Sequence, residues 1–139
     1  EIHERLVGSE MCIRDRDKGI VFIFQINDLS GIKMCDEDIV VILSNLLNNA
    51  IEACEKCSGK KFMKMKLVKE KDNIIISVKN TYDGKLNIKD GEIQTSKKYE
   101  MDEHGVGIKN IIEVITKYQG SYAIRNDNNE FYFSVILPN

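Results

Sequence analysis

Three polar side chains that recur along one stretch of the chain have the chemistry of a hard-cation site. Asn45, Asn49 and Glu52 are spaced four and three residues apart, so at about 100° per residue they share one side of an α-helix. Asn48 points well away from them. Amide and carboxylate oxygens suit Mg²⁺, which binds few protein groups and keeps water or phosphate oxygens as its other ligands. An ordinary amphipathic helix with amides at its border is the alternative.

An apolar stripe beside these polar groups predicts the helix that carries them. Apolar residues recur at spacings of three and four within residues 36–57, as in a helix packed on a core. The acidic residues Asp36 to Asp38 suit the positive end of the helix, and Gly59 predicts its stop. The stripe comprises Ile39, Ile42, Leu43, Leu46, Ala50, Ala53, Cys54 and Cys57.

A glycine pair, Gly105 and Gly107, opens a second apolar-periodic segment that predicts a helix over 106–118. Glycines at that place let the backbone approach a bulky anion, and the free N–H groups and dipole of a helix start favour phosphate. By itself a Gly-x-Gly pair before a helix is a weak signal, because many turns contain one.

The strand predicted between these helices ends on an amide. Residues 73–80 alternate so that Ile74, Ile76, Val78 and Asn80 share one face, as in a β-strand with one buried side. Asn80 therefore continues the apolar face, where a buried amide needs a hydrogen-bond partner. A simpler role, in which Asn80 only caps the following turn, is the alternative.

Together these segments resemble the GHKL ATP-binding fold of histidine kinases, gyrase-type ATPases and their relatives, over about residues 17–139. The run around Asn45 and Asn49 resembles the N box, which implies that Asn49 holds Mg²⁺ against the triphosphate and that Asn45 supports it. About 55 residues later, in the chain order of this fold, a second motif resembles the G2 box. The resemblance assigns to the phosphates of ATP the residues His104, Gly105, Val106, Gly107 and Ile108.

The stretch after Val78 departs from the family pattern. Asn80 stands where the family usually has the Asp of a D-x-G-x-G box, which accepts a hydrogen bond from the adenine amino group, and Tyr82 replaces the first Gly. An amide oxygen can still accept that bond. An Asn-led box is similar to that of peptide-sensing, quorum-type bacterial kinases.

The remaining pocket residues also follow from the resemblance. Residues 82–104 resemble the ATP lid, and Thr95 and Lys97 resemble its T-x-K element. A lysine there would neutralise phosphate charge, although an ordinary solvated lysine is the alternative. Glu52 resembles a further residue of the nucleotide pocket.

The resemblance implies the ATP-binding catalytic domain of a sensor histidine kinase, with ATP and Mg²⁺ as its ligands. The phosphoryl acceptor would be a His on a dimerisation domain absent from this chain, and a response regulator would be an indirect partner. We expect such a domain in the cytoplasm, as part of a membrane-anchored receptor kinase.

Two other functions remain open at the level of sequence. Hydrolysing GHKL ATPases place a Glu four residues before the Mg²⁺-binding Asn, but Asn45 stands there and an amide cannot act as a base. An anti-sigma-type serine kinase or a non-catalytic nucleotide-binding regulator is the other alternative, because these proteins have a similar N box.

Composition supports one domain and excludes several other classes. The chain has 139 residues, a net charge of −2 and 42% hydrophobic residues, so one core is expected and no basic field favours nucleic acid. No apolar run is long enough to span a membrane. The pair Cys54 and Cys57 lacks a second ligand pair for zinc, so buried thiols in a reducing compartment are expected.

The expected architecture is an α+β two-layer sandwich, with an antiparallel-rich mixed sheet and helices on one face. Strands are predicted near residues 19–26, 61–70, 73–80, 121–126 and 130–137. Residues 1–16 show no sustained period and resemble translated adapter sequence, so we expect a non-native or disordered leader before a domain of residues 17–139.

Overall fold

A computed structural model describes residues 5–7, 10–15, 19–83, 105–127 and 129–139 of the chain. The predicted helices and strands from residue 19 onward are confirmed, with ends that differ by at most two residues. In chain order the elements are β1 (Arg5–Val7), β2 (Glu10–Asp15), β3 (Ile20–Ile26), α1 (Asp36–Glu55), β4 (Lys61–Glu70), β5 (Asn73–Thr81), α2 (Gly105–Lys117), β6 (Ser121–Asp127) and β7 (Glu130–Pro138).

The strands form one mixed sheet in the order β1-β2-β3-β4-β5-β7-β6. β3 and β4 are parallel, because α1 carries the chain back across the sheet between them. The other neighbouring strands in the described residues pair antiparallel. The expected α+β fold class is therefore confirmed.

Part of the segment predicted as a non-native or disordered leader, residues 10–15, forms a strand of the sheet. β2 pairs with β3 along its whole length, from Glu10 opposite Gln25 to Asp15 opposite Ile20. The edge of β3 that faces away from β4 favours this pairing, because an unpaired strand edge presents N–H and C=O groups that another strand can satisfy. Periodicity within residues 1–16 does not reveal such pairing. The domain boundary at residue 17 stays a prediction.

Both helices pack on one face of the sheet and form a single apolar core with it. The buried positions of α1 are Ile42, Leu46, Ala50 and Cys54, which lie within the predicted stripe. From the sheet and α2 the core takes, among others, Ile74, Ile76, Val78, Ile108, Ile111, Ile115, Phe133, Val135 and Leu137. Cys54 and Cys57 are buried free thiols. Neither described helix combines the length and apolar character that a membrane span requires.

A polar cluster joins the start of α1 to the end of α2. The Tyr118 hydroxyl donates to Asp38 Oδ2 at 2.5 Å, and Lys117 Nζ donates to the same oxygen at 2.8 Å. The Cys35 N–H donates to Tyr118 Oη at 3.3 Å. We call these four residues the α1–α2 clasp. Since the first turn of α1 meets the last turn of α2, the two helices run antiparallel.

The clasp shifts the pKa values of Asp38, Lys117 and Tyr118. The hydrogen bond from Lys117 is the main cause that lowers the pKa of Asp38, and the bond from Tyr118 adds to it. The bond to Asp38 in turn raises the pKa of Lys117 and of Tyr118. Each shift favours a charged Asp38 with protonated partners, so the clasp is intact at neutral pH.

Gly120 follows α2 at a point where no side chain fits. A Cβ added there would lie 2.5 Å from Leu137 Cδ2 and 2.6 Å from the Ile136 carbonyl oxygen. The Gly120 N–H donates to the Ile115 carbonyl at 2.9 Å, which satisfies one of the free carbonyls of the helix end. The missing side chain therefore allows the end of α2 to lie directly on β7.

We expect Gly120→Ala to destabilise the domain by about 1–3 kcal/mol, the usual cost of forcing an extra carbon into a packed site. Denaturant unfolding measures this. Gly59→Ala is the matched control, because nothing lies within 4 Å of a Cβ added at Gly59. Equal effects of the two substitutions would contradict this account of the α2–β7 contact.

We expect Asp38→Asn to lower the free energy of unfolding at neutral pH. Because folding lowers the pKa of Asp38, its contribution is present above the pKa of an unfolded Asp, about 3.9, and is lost as pH falls through the lower folded value. The difference from wild type should therefore shrink below about pH 4. Denaturant unfolding across this range measures it.

Asp36→Asn is the control for that experiment, since Asp36 is an exposed carboxylate in the same helical turn. Its effect should be small, because an exposed acidic residue at a helix start contributes only about 0.3–1 kcal/mol. A difference between Asp38→Asn and wild type that stays constant from neutral to strongly acidic pH would show that the Asp38 charge does not stabilise the fold.

Candidate functional site

Gly107 brings the start of α2 against two amide side chains of α1. A Cβ built on Gly107 would lie 3.2 Å from Asn45 Oδ1 and 3.5 Å from Asn49 Oδ1. A contact of 3.2 Å is tighter than most real Cβ contacts, whereas 3.5 Å is an ordinary van der Waals distance, so an added Cβ would push on the Asn45 amide and touch the Asn49 amide. The structure therefore brings together the asparagine pair and the glycine motif, which are far apart in the sequence.

The two asparagines differ in their own hydrogen bonds. Asn45 Nδ2 donates to the Val41 carbonyl at 2.7 Å, one turn earlier in α1. This bond fixes the Asn45 amide, while its oxygen lies beside Gly107. Asn49 Nδ2 is buried and has no hydrogen-bond partner among the described residues. A buried donor without a partner is costly, so it marks a place where a ligand could supply an acceptor.

Asn80 presents the second unpartnered atom. It lies at the end of β5 and is 1% exposed, between Met63 of β4 and Phe131 of β7. Its Nδ2 donates to the Thr81 carbonyl at 2.9 Å, whereas its Oδ1 is buried without a partner among the described residues. The prediction that Asn80 shares the buried face of the strand is confirmed.

This arrangement fits a ligand that has a hydrogen-bond donor in one part and anionic oxygens in another. Asn80 Oδ1 offers an acceptor for the donor. Rotation of the Asn49 amide exchanges its nitrogen and oxygen, so that side chain can face either an anion or a cation. The free N–H groups at the start of α2 add an anion-binding element. Within the described ranges, no three His, Cys, Asp or Glu residues gather as a metal site.

The side chains of two residues expected in the pocket make other contacts in the described structure. The Glu52 carboxylate lies 3.5 Å from Lys56 Nζ, and its side chain is 67% exposed. The Ile108 side chain is fully buried in the apolar core, so only its backbone can face a ligand. Ile108 is buried because it belongs, with Ile111 and Ile115, to the apolar stripe of α2 that packs on the core. Asn48 is exposed, in agreement with the predicted helix register.

The other expected contacts belong to parts that the structure does not describe. Thr95, Lys97 and His104 lie outside the described residues, and so does the side chain of Val106. Gly105 is the first residue of α2. Their roles stay predictions from the resemblance.

Sequence reasoning missed the α1–α2 clasp. It interpreted Asp38 as one of three acidic residues that suit a helix dipole. A further signal was present, because Asp38 lies seven residues before Asn45 and seven residues return to nearly the same helix face. No comparable pattern identifies Tyr118, whose partner lies 80 residues away in the chain.

Known structures share this fold. The chain superposes on the nucleotide-free catalytic domain of histidine kinase ThkA with a TM-score of 0.69 and 20% identity, covering 88% of this chain and 82% of that one. Histidine kinase AdeS of Acinetobacter baumannii gives 0.65 and 16%, with 88% and 55% covered. ThkA in complex with the response regulator protein TrrA gives 0.65 and 21%, with 88% and 35% covered.

A comparison with curated proteins yields no match. The sequence model of the GHKL domain, however, matches residues 33–138. This range contains both helices, the asparagine pair, Asn80 and Gly107. The match covers most of the chain, and the fold carries the same elements, so the chain belongs to the GHKL domain family.

Proposed function

We propose that this chain is the ATP-binding catalytic domain of a sensor histidine kinase, which transfers the γ-phosphoryl group of ATP to a His on a dimerisation domain. The contact of Gly107 with Asn45 and Asn49 carries the proposal. It places a helix start, which favours phosphate, beside an amide that has an unpartnered buried atom. The fold shared with kinase catalytic domains supports this choice.

Asn80 would recognise the adenine base. The bond from its Nδ2 to the Thr81 carbonyl fixes the amide so that Oδ1 is the free atom. An acceptor held in that orientation suits the exocyclic amino group of adenine, which is a donor. A base with a carbonyl at that position would face Oδ1 with a second acceptor and leave both unsatisfied. Asn80 thus would perform the role that a carboxylate performs in most of the family.

Asn49 would hold Mg²⁺ together with phosphate oxygens of the nucleotide. When bound, the cation neutralises phosphate charge during transfer. Asn45 would position the pocket from the neighbouring turn, because its amide is fixed to Val41. The backbone of α2 from Gly105 to Ile108 would place N–H groups at the phosphates, with Thr95, Lys97 and His104 as further contacts. Phosphoryl transfer depends mainly on such positioning and charge neutralisation.

A kinase fits the site better than a hydrolysing ATPase. A hydrolase needs a base for water, and the position four residues before Asn49 is Asn45, whose amide cannot accept a proton. The nearby carboxylate, Glu52, is exposed and paired with Lys56. A response regulator would be the downstream partner, as TrrA is bound by ThkA. We also propose that the domain lies in the cytoplasm, and that the Asn-led box places it in the peptide-sensing kinase subtype.

Calorimetric titration of the 139-residue chain with a non-hydrolysable ATP analogue, with and without Mg²⁺, tests the proposal. We expect Mg²⁺-dependent binding that Asn49→Asp weakens by about tenfold or more. With Oδ1 of Asn49 on the cation, its Nδ2 would donate to a phosphate oxygen, and a carboxylate there would lose that hydrogen bond to a charged group and repel the phosphate. The near-identical shape of the two side chains should leave the fold intact.

Asn48→Asp is the matched control, because Asn48 is exposed on the same helix. It should leave the affinity unchanged. No binding by wild type at millimolar nucleotide would remove the catalytic assignment and favour a nucleotide-independent regulator. Equal losses at the two positions would show that charge on α1, rather than the Asn49 contact, governs binding.

The choice between kinase and hydrolase has its own test. We expect Glu52→Gln to leave any slow steady-state ATP hydrolysis unchanged, since an exposed carboxylate paired with Lys56 is not placed to activate water. A coupled phosphate-release assay measures this, with Glu55→Gln as a control on the same helix. Turnover that Glu52→Gln abolishes, and Glu55→Gln does not, would favour a hydrolysing ATPase.

A further inference from the structure

α1 contacts α2 through polar groups near both ends of α2. Near the start of α2, Gly107 lies against Asn45 and Asn49. After its last residue, the Tyr118 hydroxyl donates to Asp38 at 2.5 Å. At about 100° per residue, Asp38, Asn45 and Asn49 fall within roughly 40° of one another on α1. One face of α1 therefore determines where both ends of α2 lie.

The contacts between these two ends are apolar. Ile108, Ile111, Val114 and Ile115 of α2 are buried in the core. Apolar burial is strong but not directional, so it resists separation of the helices more than a small slide or rotation of one along the other. Hydrogen bonds have preferred lengths and angles. The clasp therefore supplies directional contacts that fix the axial position of α2 at its far end.

Several hydrogen bonds and the packing of the Tyr118 ring fix the geometry of the clasp. Asp38 accepts bonds from both Tyr118 and Lys117 at a single oxygen, and its side chain is only 15% exposed. Tyr118 Oη also accepts the Cys35 N–H, at the residue that precedes α1. Hydrogen bonds to a charged carboxylate are stronger than neutral ones. The tyrosine ring packs against the core, which restricts where its hydroxyl can lie.

The two ends are far apart along the helix. Gly107 and Tyr118 are eleven residues apart, or about 16 Å at 1.5 Å per residue. An α-helix transmits an axial displacement along its length because its backbone is hydrogen-bonded throughout. A shift of well under a turn at the clasp would therefore displace Gly107 relative to the Asn45 and Asn49 amides.

We infer that Asp38 and Tyr118 are positioning residues for the nucleotide site: through α2 they set the contact of Gly107 with Asn45 and Asn49, on which Mg²⁺-nucleotide binding depends. This inference rests on the proposed function for its effect on binding. Neither side chain touches the ligand site itself. The clasp thus influences the affinity for the nucleotide from the far end of α2, opposite Gly107.

The test uses Tyr118→Phe in the 139-residue chain. This substitution removes the hydroxyl and keeps the ring that packs on the core. Two readouts are measured well below the unfolding temperature: affinity for the ATP analogue with Mg²⁺, and the NMR shift of the Gly107 backbone amide without ligand. We expect the affinity to fall about three- to tenfold, which is a part of what one hydrogen bond to a charged group contributes. We also expect the Gly107 amide resonance to move.

Asp38→Asn should act in the same way, because a neutral amide oxygen accepts the Tyr118 and Lys117 bonds more weakly than a carboxylate does. The double variant should lose less than the sum of the two single variants, because both change the bond between Asp38 and Tyr118. Tyr132→Phe is the matched control. Tyr132 lies on β7 beside Arg125, between the buried Phe131 and Phe133, and so faces away from the helices. Its loss of a hydroxyl should change neither readout.

Two outcomes would overturn the inference. One is a Tyr118→Phe protein that is less stable but has an unmoved Gly107 amide, which is what a purely structural role predicts. The other is a Tyr118→Phe protein in which the Gly107 amide resonance moves but the affinity for the ATP analogue equals that of a wild type that binds it. Absence of binding by wild type would instead remove the proposed function, and the Gly107 shift would still decide whether the clasp positions α2.

Discussion

The site depends on the close approach of two helices at a residue without a side chain. At Gly107, α2 lies so near α1 that an added Cβ would be 3.2 Å from the Asn45 amide oxygen and in van der Waals contact with the Asn49 amide. The rest of the fold serves this approach. The sheet supplies the surface on which both helices lie, and Gly120 and the clasp hold the far end of α2. A site of this kind is a property of helix packing rather than of one segment.

The folded domain carries two buried polar atoms without partners among the described residues, Asn49 Nδ2 and Asn80 Oδ1. Each costs about 1–3 kcal/mol relative to a satisfied group. The apolar core, to which both helices and the central strands contribute, offsets this free-energy cost. Because the unpartnered atoms lie on α1 and β5, a single ligand that reached both would restore two hydrogen bonds and gain affinity from a site formed before binding.

Periodicity in the sequence was sufficient to predict much of this structure. Alternation along β5 placed Asn80 on the buried face, and the apolar stripe of α1 placed Asn48 in solvent. It did not predict the pair of Glu52 and Lys56, although their spacing of four residues on one helix is itself a signal for such a contact. Nor could it find the bond between Asp38 and Tyr118, since contacts between distant segments leave no local period. It also missed the pairing of β2 with the adjacent β3, because residues 1–16 show no sustained period.

The amide at Asn80 has a consequence for how the empty domain behaves. A carboxylate in the same buried place would have to shed its hydration or take up a proton, since burial penalises the charged form. An amide has neither problem: it carries no charge and does not titrate. The Asn80 amide can therefore keep one orientation at any physiological pH, and the proposed recognition of a base by Asn80 would carry no acid sensitivity of its own. Asn80 is a weaker acceptor than a carboxylate would be, but its hydrogen-bonding state does not change with pH.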